Sequence, residues 1–454
     1  MELIIINQGM NGEGVASKNG KIFFVPGAIT DEIVECEEIK DFGNFANTKL
    51  TKIIKPSTNR VKPVCPYFGL CGGCDLQHMN YDTQLKFKQN LVKATLKKVG
   101  SIDYDVSKTI SCSNQFNYRN KISFSCNENA IGFKAKSSNN IVDIDFCPLA
   151  NKDINQIFAI IKEYLSTNKI LSSKNIVIRQ LEGQSLIALV VAKPQNLHTL
   201  YDVLSQQIEN FGLFMVINPR KDSVVLTNNI VHIGGLKNIQ LLNDLHLTLT
   251  VDSFYQTNVD IQNKLYSHIL SQINNNDNVI NGYSGAGLLS AKIAKKAQHV
   301  YGIEINKSAH KDAENLKKYN NIDNLTNICG DFFENFKKLA NISNNINGMQ
   351  TEKVEQNADA NLRENCTSIN NQNKKSICNV LVLDPSKKGC GKQVMDSING
   401  VEKLIYVSCN PIGLAKDLRE IKNDYTITNI QPFDMFPNTI SVETCVTLVK
   451  NKKA

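Results

Sequence analysis

One stretch in the second half of the chain restricts the fold more than any other: a strand, a glycine loop and a helix in direct succession. Residues 279–297 read VINGYSGAGLLSAKIAKKA, with glycines at 282, 285 and 287 and then apolar residues at helical spacing. Strand-like and helix-like runs continue to alternate after it, as HVYGIEIN, SAHKDAENLKKYN, NVLVLDPS, KLIYVSC and TCVTLVK. This alternation predicts a doubly wound α/β domain with ligand sites at the carboxyl ends of its strands.

An Asn-rich window, 341–376, interrupts this domain. It contains ten asparagines, few apolar residues and no hydrophobic period. Such a composition cannot bury enough apolar surface to offset the entropy of ordering. We therefore predict a disordered surface insertion between a helix and the strand at 379–384.

The N-terminal residues are predicted to form strands and turns. β-Branched and aromatic residues alternate there with polar ones between glycine and proline breaks, and Asn19-Gly20 is a two-residue hairpin signal. The pattern predicts a small β-barrel over 1–58. Barrels of this kind either present a basic, aromatic face to nucleic acid or are purely structural, and the pattern leaves both readings open.

A central unit, 59–250, separates the barrel from the α/β domain at 251–454. It begins with a Cys- and Gly-rich loop, and residues 81–100 follow with helical periodicity and a natural C-cap at Gly100. The remainder is predicted to be mostly strands with one or two helices, of which 157–166 is the clearest.

The composition limits the class of protein. A length of 454 residues suggests two to four domains, and 42% hydrophobic residues are enough to bury a core. No run reaches the roughly 20 apolar residues that cross a bilayer, and no signal peptide is recognisable. The net charge of +8 permits an RNA partner without demanding one. Thirteen cysteines without an export signal favour metal binding or catalysis over disulfides. We expect a cytoplasmic protein.

Four cysteines form the first chemical motif. Cys65, Cys71 and Cys74 lie within ten residues, with two glycines that let the backbone fold tightly, and Cys147 precedes a proline. Cys-Pro is a common ending to an iron–sulfur ligand set. Four thiolates also suit tetrahedral zinc, although zinc usually takes two C-x2-C pairs. The spacing favours an iron–sulfur cluster and leaves zinc as the alternative.

The glycine loop indicates a nucleotide-like ligand. Glu304 ends the next strand, where its carboxylate can accept hydrogen bonds from two ribose hydroxyls. The loop is G-x-G rather than G-x-G-x-x-G, which favours S-adenosylmethionine (SAM) over a dinucleotide. Asp331 follows the third strand, where it either holds the adenine edge or caps a helix.

Three further residues are placed at strand ends. Cys409 ends KLIYVSC and precedes a helix, whose dipole favours a thiolate. Asp384 ends VLVL, and Glu443 enters the apolar strand TCVTLVK. A buried acid is costly unless it is paired or used, so Glu443 is a candidate base. Taken singly, each could also be a structural residue.

Together these motifs resemble the RNA uracil-5-methyltransferase family, SAM-dependent enzymes that make 5-methyluridine in ribosomal and transfer RNA. GEGVASKNGKIFFVPGAITDE is similar to the family's N-terminal TRAM barrel, and CPYFGLCGGCDLQH with Cys147 is similar to its [4Fe–4S] site. DSFYQTN, NGYSGAGLLS, LDPSKKG, YVSCNP and SVETCV match its catalytic motifs in order. The resemblance implies a Rossmann-like SAM methyltransferase domain, an OB-like TRAM barrel and a small mixed central domain carrying the cluster.

The resemblance also implies a role for each site residue. Cys409 is the nucleophile and Glu443 the base, and the 81–100 helix packs on the catalytic domain. The residues around SAM and the target uracil are Gln256, Tyr283, Glu304, Asp331 and Asp384. The cluster ligands are Cys65, Cys71, Cys74 and Cys147.

The sequence departs from the family's usual pattern at two single positions and in one motif. Asn281 stands where an acid is common, and Leu288 stands where many members are polar, so no SAM contact is assigned to it. DPSKKG replaces the commoner DPPRKG, which alters a phosphate contact through Lys387.

The implied reaction adds the Cys409 thiolate to C6 of a flipped-out uridine, methylates C5 and releases the product when Glu443 removes the C5 proton.

The four-cysteine site favours 23S rRNA as the substrate, with tRNA as the alternative, and the expected state is a monomer. An iron–sulfur or RNA-binding protein with a decayed catalytic domain is disfavoured because Cys409 and Glu443 are both retained. A small-molecule methyltransferase would not need the barrel.

Overall fold

The computed structural model describes residues 1–168, 173–220, 222, 224–347, 378–398 and 400–452. Its first strands are β1 (Glu2–Ile4), β2 (Asn7–Gln8), β3 (Gly14–Lys18), β4 (Lys21–Val25), β5 (Ile33–Asp41) and β6 (Phe45–Lys55). The middle strands are β7 (Lys121–Cys126), β8 (Ile131–Lys134), β9 (Ile141–Asp143), β10 (Ser173–Leu181), β11 (Gln184–Val191), β12 (Phe211–Ile217), β13 (Ile230–Gly235), β14 (Ile239–Leu242) and β15 (His246–Leu249). The last strands are β16 (Asn278–Gly282), β17 (His299–Glu304), β18 (Leu325–Cys329), β19 (Val380–Leu383), β20 (Lys403–Ser408), β21 (Tyr425–Phe433) and β22 (Glu443–Lys450).

The helices are α1 (Tyr81–Gly100), α2 (Lys152–Thr167), α3 (His198–Ser205), α4 (Val259–Leu270), α5 (Leu288–Ala294), α6 (Lys307–Tyr319), α7 (Phe332–Asn347), α8 (Lys392–Ser397) and α9 (Pro411–Ile421). Among the described residues, no helix is both long and apolar enough to span a membrane.

The N-terminal strands form a six-stranded sheet in the order β1-β5-β6-β4-β3-β2. Its two edge strands are consecutive in the chain, and Ile6 between them donates a backbone hydrogen bond to Val15 in β3 (2.9 Å). The sheet therefore curls until its edges lie side by side, around a small apolar core. The predicted hairpin is confirmed, because Asn19 and Gly20 both have positive φ and connect the paired residues Lys18 and Lys21.

The central unit is a seven-stranded sheet in the order β13-β12-β11-β10-β7-β8-β9, with β14 and β15 forming a separate hairpin. Apolar residues of α2 and α3 bury one face of this sheet, among them Phe158, Ile161 and Leu200. The prediction of strands with one or two helices is confirmed for this part of the chain, and the helix predicted at 157–166 lies within α2.

The C-terminal sheet has the order β18-β17-β16-β19-β20-β22-β21, and its strands are parallel except that β22 is antiparallel to β20 and β21. Neighbouring residues of a strand point into two different cores: Val279 joins one and Ile280 the other. Since successive side chains alternate between faces, both faces of the sheet are covered. The predicted α/β domain is confirmed.

Helix α1 belongs to the central unit in sequence but packs on α9 of the C-terminal domain, where Leu96 shares a core with Leu414. Gly100 is not the C-cap that was predicted. The helix continues through it, and Ser101 takes the left-handed conformation (φ 52°). A Cβ atom at Gly100 would lie 3.0 Å from the Ala415 carbonyl oxygen, so glycine here permits the close approach of α9.

The predicted disordered insertion at 341–376 is wrong over its first residues, because α7 extends to Asn347. Its apolar residues Phe332, Phe336 and Leu339, just before the Asn-rich window, are buried and set the helical period of α7. The rest of the predicted insertion lies outside the described residues. The strand expected at 379–384 is present as β19.

Candidate active site

A cleft of about 540 Å³ opens at the carboxyl end of β16, where ligands bind in doubly wound sheets. We call it the glycine-loop cleft. Three predicted ligand residues, Gln256, Tyr283 and Asp384, line it together. The other lining residues are Leu247, Leu249, Phe254, Tyr255, Gln262, Tyr266, Asn281, Ser284, Gly285, Ala286, Leu288 and Leu289. Leu288, to which no contact was assigned, therefore also faces the cleft.

The glycine loop is tightly shaped by its neighbours. Tyr283 has a positive φ of 60°, an uncommon conformation for a bulky residue, and its ring stacks on Phe332 with centroids 5.3 Å apart. A Cβ atom at Gly282 would lie 2.5 Å from the Phe332 ring, so only glycine leaves room for this packing. The aromatic stack offsets the cost of the strained backbone and fixes the wall of the cleft.

Glu304 lies beside the loop. Its carboxylate accepts hydrogen bonds from the backbone N–H of Gly285 (2.8 Å) and of Asn306 (2.7 Å). Asp331 is exposed and its carboxylate caps α7 by accepting from the Glu334 N–H (3.2 Å). Its negative charge contributes to raising the pKa of Tyr283, after burial and Cys390. The helix-capping role of Asp331 is thus present, and the residue also lies near the cleft wall.

Asn281 contributes an acceptor without a partner. Its Nδ2 donates to Ser290 Oγ (2.8 Å), whereas its Oδ1 is buried and has no hydrogen-bond partner among the described residues. A buried polar atom without a partner costs about 1–3 kcal/mol. A ligand N–H or O–H in the cleft would remove that cost, so the lining fits a polar cofactor.

Three neighbouring strands deliver Cys409, Asp384 and Glu443 to one end of the sheet. Asp384 directly follows β19, and Cys409 directly follows β20. β22 runs antiparallel to β20 and begins at Glu443, with Ser408 opposite Thr444. We call these three residues, together with Lys387, the Cys409 cluster; Asp384 is shared with the glycine-loop cleft.

The charges of the cluster act strongly on its thiol. Burial and the Glu443 and Asp384 carboxylates raise the pKa of Cys409 to about 11, while the Lys387 ammonium opposes the shift. The sequence predicted that a helix dipole favours the thiolate. The net shift of the Cys409 pKa runs the other way, because burial and the two neighbouring acids outweigh the backbone and Lys387. Cys409 is a protonated thiol at neutral pH.

The two carboxyl groups also hold protons more tightly than usual. Burial is the main cause of the raised pKa of Glu443, and the neighbouring Asp384 adds to it while Lys387 opposes it. Burial raises the pKa of Asp384 to about 7. A pair of close carboxyl groups with raised pKa values can exchange protons near neutral pH, as acid–base chemistry requires.

A second cavity, of about 510 Å³, is lined by all four cysteines predicted as ligands. We call it the cysteine cavity. Cys65, Cys71, Cys74 and Cys147 share it with Arg119, Gln77 and mainly apolar residues. The Gly73 N–H lies 3.3 Å from Cys71 Sγ, which suits a thiolate acceptor. The donor set and the nearby cation fit an anionic iron–sulfur group.

The same four thiols are not arranged around one ion. Among the described residues, no group of three or more His, Cys, Asp or Glu side chains could hold a metal ion. A zinc ion about 2.3 Å from each sulfur would need the sulfurs within roughly 4 Å of one another. A cluster of four irons spreads its thiolates further apart.

Several residues of the site were not singled out by sequence. Phe254 lines the glycine-loop cleft with 69% of its surface exposed. Asn120 in the central unit donates through Nδ2 to the Gln256 carbonyl (2.9 Å), and the buried Arg179 donates to the Ser253 carbonyl. The motif DSFYQTN contains the signal for Phe254. No local pattern indicates Asn120 or Arg179, because both are distant in sequence.

The strand order, the glycine loop and the strand-end cluster define a mixed α/β methyltransferase fold. The family described as tRNA (Uracil-5-)-methyltransferase matches residues 80–451, and the chain therefore belongs to this family of RNA uracil-5-methyltransferases. The resemblance stated from the motifs is confirmed.

Relatives match over nearly the whole chain. An RNA methyltransferase of Clostridium tetani is 32% identical over 468 residues, covering 98% of this chain and 95% of the relative. One of Caldanaerobacter subterraneus is 32% identical, covering 97% of this chain and 96% of the relative. The solved tRNA (uracil-54, C5)-methyltransferase of Pyrococcus abyssi, in complex with S-adenosyl-L-homocysteine, is 24% identical with a TM-score of 0.74 over 99% of each chain. This last similarity shows a common fold.

Proposed function

We propose that this protein methylates C5 of a specific uridine in RNA, with SAM as the methyl donor and Cys409 as the covalent nucleophile. One observation carries the proposal: a thiol and two carboxyl groups with raised pKa values meet at the strand ends that border the glycine-loop cleft. Uracil methylation at C5 needs this combination, because C5 becomes nucleophilic only after a thiolate adds to C6.

The glycine-loop cleft would hold SAM, which supplies an electrophilic methyl group when bound. Gln256, Tyr283 and Asp384 line the cleft, and Asn281 Oδ1 offers a buried acceptor. Glu304, held by the Gly285 N–H, is placed for the ribose hydroxyls. Asp331 is assigned to the adenine edge, beside the Tyr283–Phe332 stack.

Catalysis begins with a proton transfer. Because Cys409 is a thiol at rest, its proton passes to a neighbouring carboxylate as Sγ adds to C6 of the uracil. The ring becomes an enolate, and C5 takes the methyl group. The Glu443 carboxylate then removes the C5 proton, and the electrons of the C5–H bond expel Sγ from C6. The methylated uridine is released, the Cys409 thiolate takes back its proton from the carboxyl group that had accepted it, and Glu443 passes the C5 proton to solvent. General-base help of this kind is typically worth about 10²–10⁴-fold.

The RNA must present the uridine outside its base stack, because the thiol attacks perpendicular to the ring. Flipping costs a few kcal/mol and stacking on an aromatic ring is worth about 1–3 kcal/mol per base. The exposed Phe254 offers such a ring at the cleft. On the N-terminal sheet, Phe42 and Phe45 are exposed and stacked at 4.6 Å, and Lys40 lies over Phe42. These features support assigning this sheet as a TRAM-like RNA-binding barrel.

The cysteine cavity would hold a [4Fe–4S] cluster through Cys65, Cys71, Cys74 and Cys147. Methyl transfer from SAM to uracil needs no electron transfer, so we assign the cluster a structural or RNA-facing role. We further propose a monomer acting in the cytoplasm on 23S rRNA. The alternative substrate is tRNA, on which the Pyrococcus abyssi protein acts by its description.

Covalent trapping tests the proposal. Anaerobically purified protein is incubated with SAM and either 5-fluorouridine-substituted 23S rRNA fragments or tRNA, and adducts are mapped by mass spectrometry. Fluorine at C5 cannot leave as a proton, so the enzyme should remain attached through Cys409. An adduct on one RNA identifies both mechanism and substrate. No adduct on either, from protein that binds SAM, contradicts the nucleophile assignment.

A further inference from the structure

The connection between β21 and β22, residues 434–442, leads directly to Glu443 and is held by other parts of the chain. The Asp434 carboxylate pairs with Lys88 of α1, both side chains being fully buried, and accepts from the Tyr81 hydroxyl (2.7 Å). Lys88 also donates to the Phe436 carbonyl (2.9 Å). A buried ion pair with additional hydrogen bonds fixes one geometry, since breaking it leaves an unpaired charge.

Asn438 lies at the centre of this connection, and every one of its hydrogen-bonding atoms is used. Its N–H donates to Gln84 Oε1 (3.0 Å), and its Oδ1 accepts from Gln84 Nε2 (3.3 Å). Its Nδ2 donates to the Gln115 carbonyl (2.8 Å). Its carbonyl accepts from the N–H groups of Asp75 and Leu76, both at 3.0 Å. Asn438 is 1% exposed and has a φ of 69°, a left-handed conformation that asparagine tolerates.

Two of these bonds come from the loop that supplies the cysteine cavity. Asp75 directly follows Cys74, which lines the cavity. The side chain of Leu76 packs in a small core with Ile29, which lies between β4 and β5, and with Ile440 of the connection. The position of the cysteine loop is therefore linked by hydrogen bonds and packing to the segment that ends at Glu443.

We propose that Asn438 is a positioning residue for Glu443, and that through it an ordered cysteine loop sets the placement of the catalytic base. The inference rests on the proposed function, in which Glu443 removes the C5 proton. Cys409 directly follows β20, and within the described part of the chain no hydrogen bond joins its side chain to residues 434–442. Loss of the Asn438 bonds should therefore impair the release step more than addition and methyl transfer.

The first test replaces Asn438 with glycine, which keeps the backbone conformation and removes both side-chain bonds. Misplacing a catalytic group by about 1 Å can cost 10²-fold, so we expect release to slow by roughly 10- to 100-fold. A methylated enzyme–RNA adduct should then accumulate on unmodified RNA, visible on a denaturing gel, while the SAM Kd stays unchanged. Asn321→Gly is the matched control, because Asn321 also has a left-handed φ but lies outside the connection.

A second variant keeps the test valid if Asn438→Gly fails to fold. Gln84→Met leaves Asn438 intact and removes its partner on α1, and it should stall release in the same way. If neither variant accumulates the methylated adduct while wild type turns over, the positioning role is overturned. If wild type itself forms no adduct with 5-fluorouridine RNA, the proposed function fails instead, so the two failures are distinguishable.

Hydrogen–deuterium exchange tests the link to the cysteine loop without relying on activity. Cys71→Ser should increase exchange in the peptide covering 434–443 relative to wild type, while the β10–β11 hairpin remains protected. Cys329→Ser is the control, because Cys329 is an exposed cysteine outside the cysteine cavity. Unchanged exchange in 434–443, with the absorbance of any bound cluster lost, would overturn the link.

Discussion

Two sites in this molecule gather thiols, the Cys409 cluster and the cysteine cavity, and their charges differ. Cys409 faces two carboxyl groups and one lysine, and its pKa is raised to about 11. The residues lining the cysteine cavity include Arg119 and no acid. A nucleophile that must leave again benefits from neighbours that give and take protons, whereas a metal ligand benefits from a nearby cation. The two sites therefore differ in the charges beside their thiols and not in the direction of the pKa shift, because burial raises the pKa of Cys74 as well, to about 12.

The largest expected effect comes from removing the thiol of the Cys409 cluster. Cys409→Ala should lower methylation by roughly 10⁴-fold or more, since knocking out a covalent nucleophile can cost up to about 10⁶-fold. Tritium transfer from labelled SAM measures this, and calorimetry should show an unchanged SAM Kd. Cys329→Ala, at an exposed cysteine, should behave as wild type. Substantial turnover by Cys409→Ala would refute its role.

Removing Glu443, the proposed base, should separate methyl transfer from product release, whereas Cys409→Ala abolishes both steps. Glu443→Gln should permit methyl transfer but slow release by about 10²–10⁴-fold, because a general base is lost. The covalent RNA adduct should then accumulate and can be counted on a denaturing gel. Rapid turnover by Glu443→Gln would show that another group removes the C5 proton, and Asp384 would be the next residue to test.

The Lys387 ammonium lowers the pKa of Cys409. Its removal would leave the Cys409 cluster without a cation, whereas the cysteine cavity keeps Arg119. Because the Cys409 pKa is raised, the thiolate fraction grows as pH increases, and single-turnover adduct formation should rise from pH 6 to 9. In Lys387→Met the thiol pKa rises further, so the profile shifts to higher pH and the rate at pH 7 falls by about tenfold per pKa unit. Lys388→Met is the adjacent control. A profile that falls with pH would contradict the protonated resting thiol.

A substitution in the cysteine cavity should change the absorbance of the protein more than its methylation rate. Cys71→Ser should remove the brown absorbance, near roughly 400 nm, that is expected of an iron–sulfur centre. Methylation should fall less than in Cys409→Ala, because the proposed reaction makes and breaks no bond at a group of the cavity. Metal analysis of anaerobically purified wild type provides the check. Colourless protein containing zinc would reverse the metal assignment.

The smallest effect is expected outside both sites. Deleting 348–376 leaves α7 and β19 whole. Methylation by this variant should stay within about twofold of wild type, because the composition of the segment is too polar for it to form part of a core. A folded but inactive deletion variant would show that the segment takes part in the reaction.

Local patterns were enough to predict much of this arrangement. The glycine loop, the strands leading to Asp384 and Cys409, and the hairpin at Asn19-Gly20 all follow from periodicity and turn chemistry over a few residues. The four cysteines could be grouped because three of them are close in sequence. The extension of α7 to Asn347 was missed because asparagine-rich composition outweighed a helical period set by Phe332 and Phe336.

Interactions between distant residues account for what could not be predicted. The bonds from Gln84 to Asn438 join positions more than three hundred residues apart, and nothing in either local sequence signals the other. The raised pKa of Cys409 depends first on its burial and then on Glu443 and Asp384, which distant parts of the chain bring to it. The role of Gly100 likewise depends on α9 approaching from the far end of the chain.

The packing of α1 on α9 has a consequence for how the chain is made. α9 begins about 310 residues after α1 ends, and Val92 and Leu96 find their partners Leu414 and Leu418 only then. At roughly 5–20 residues per second, a ribosome needs about 15–60 s to synthesise the intervening chain. During that interval the apolar side of α1 is without its final partner. The C-terminal domain therefore completes its core only after the last part of the chain has been made.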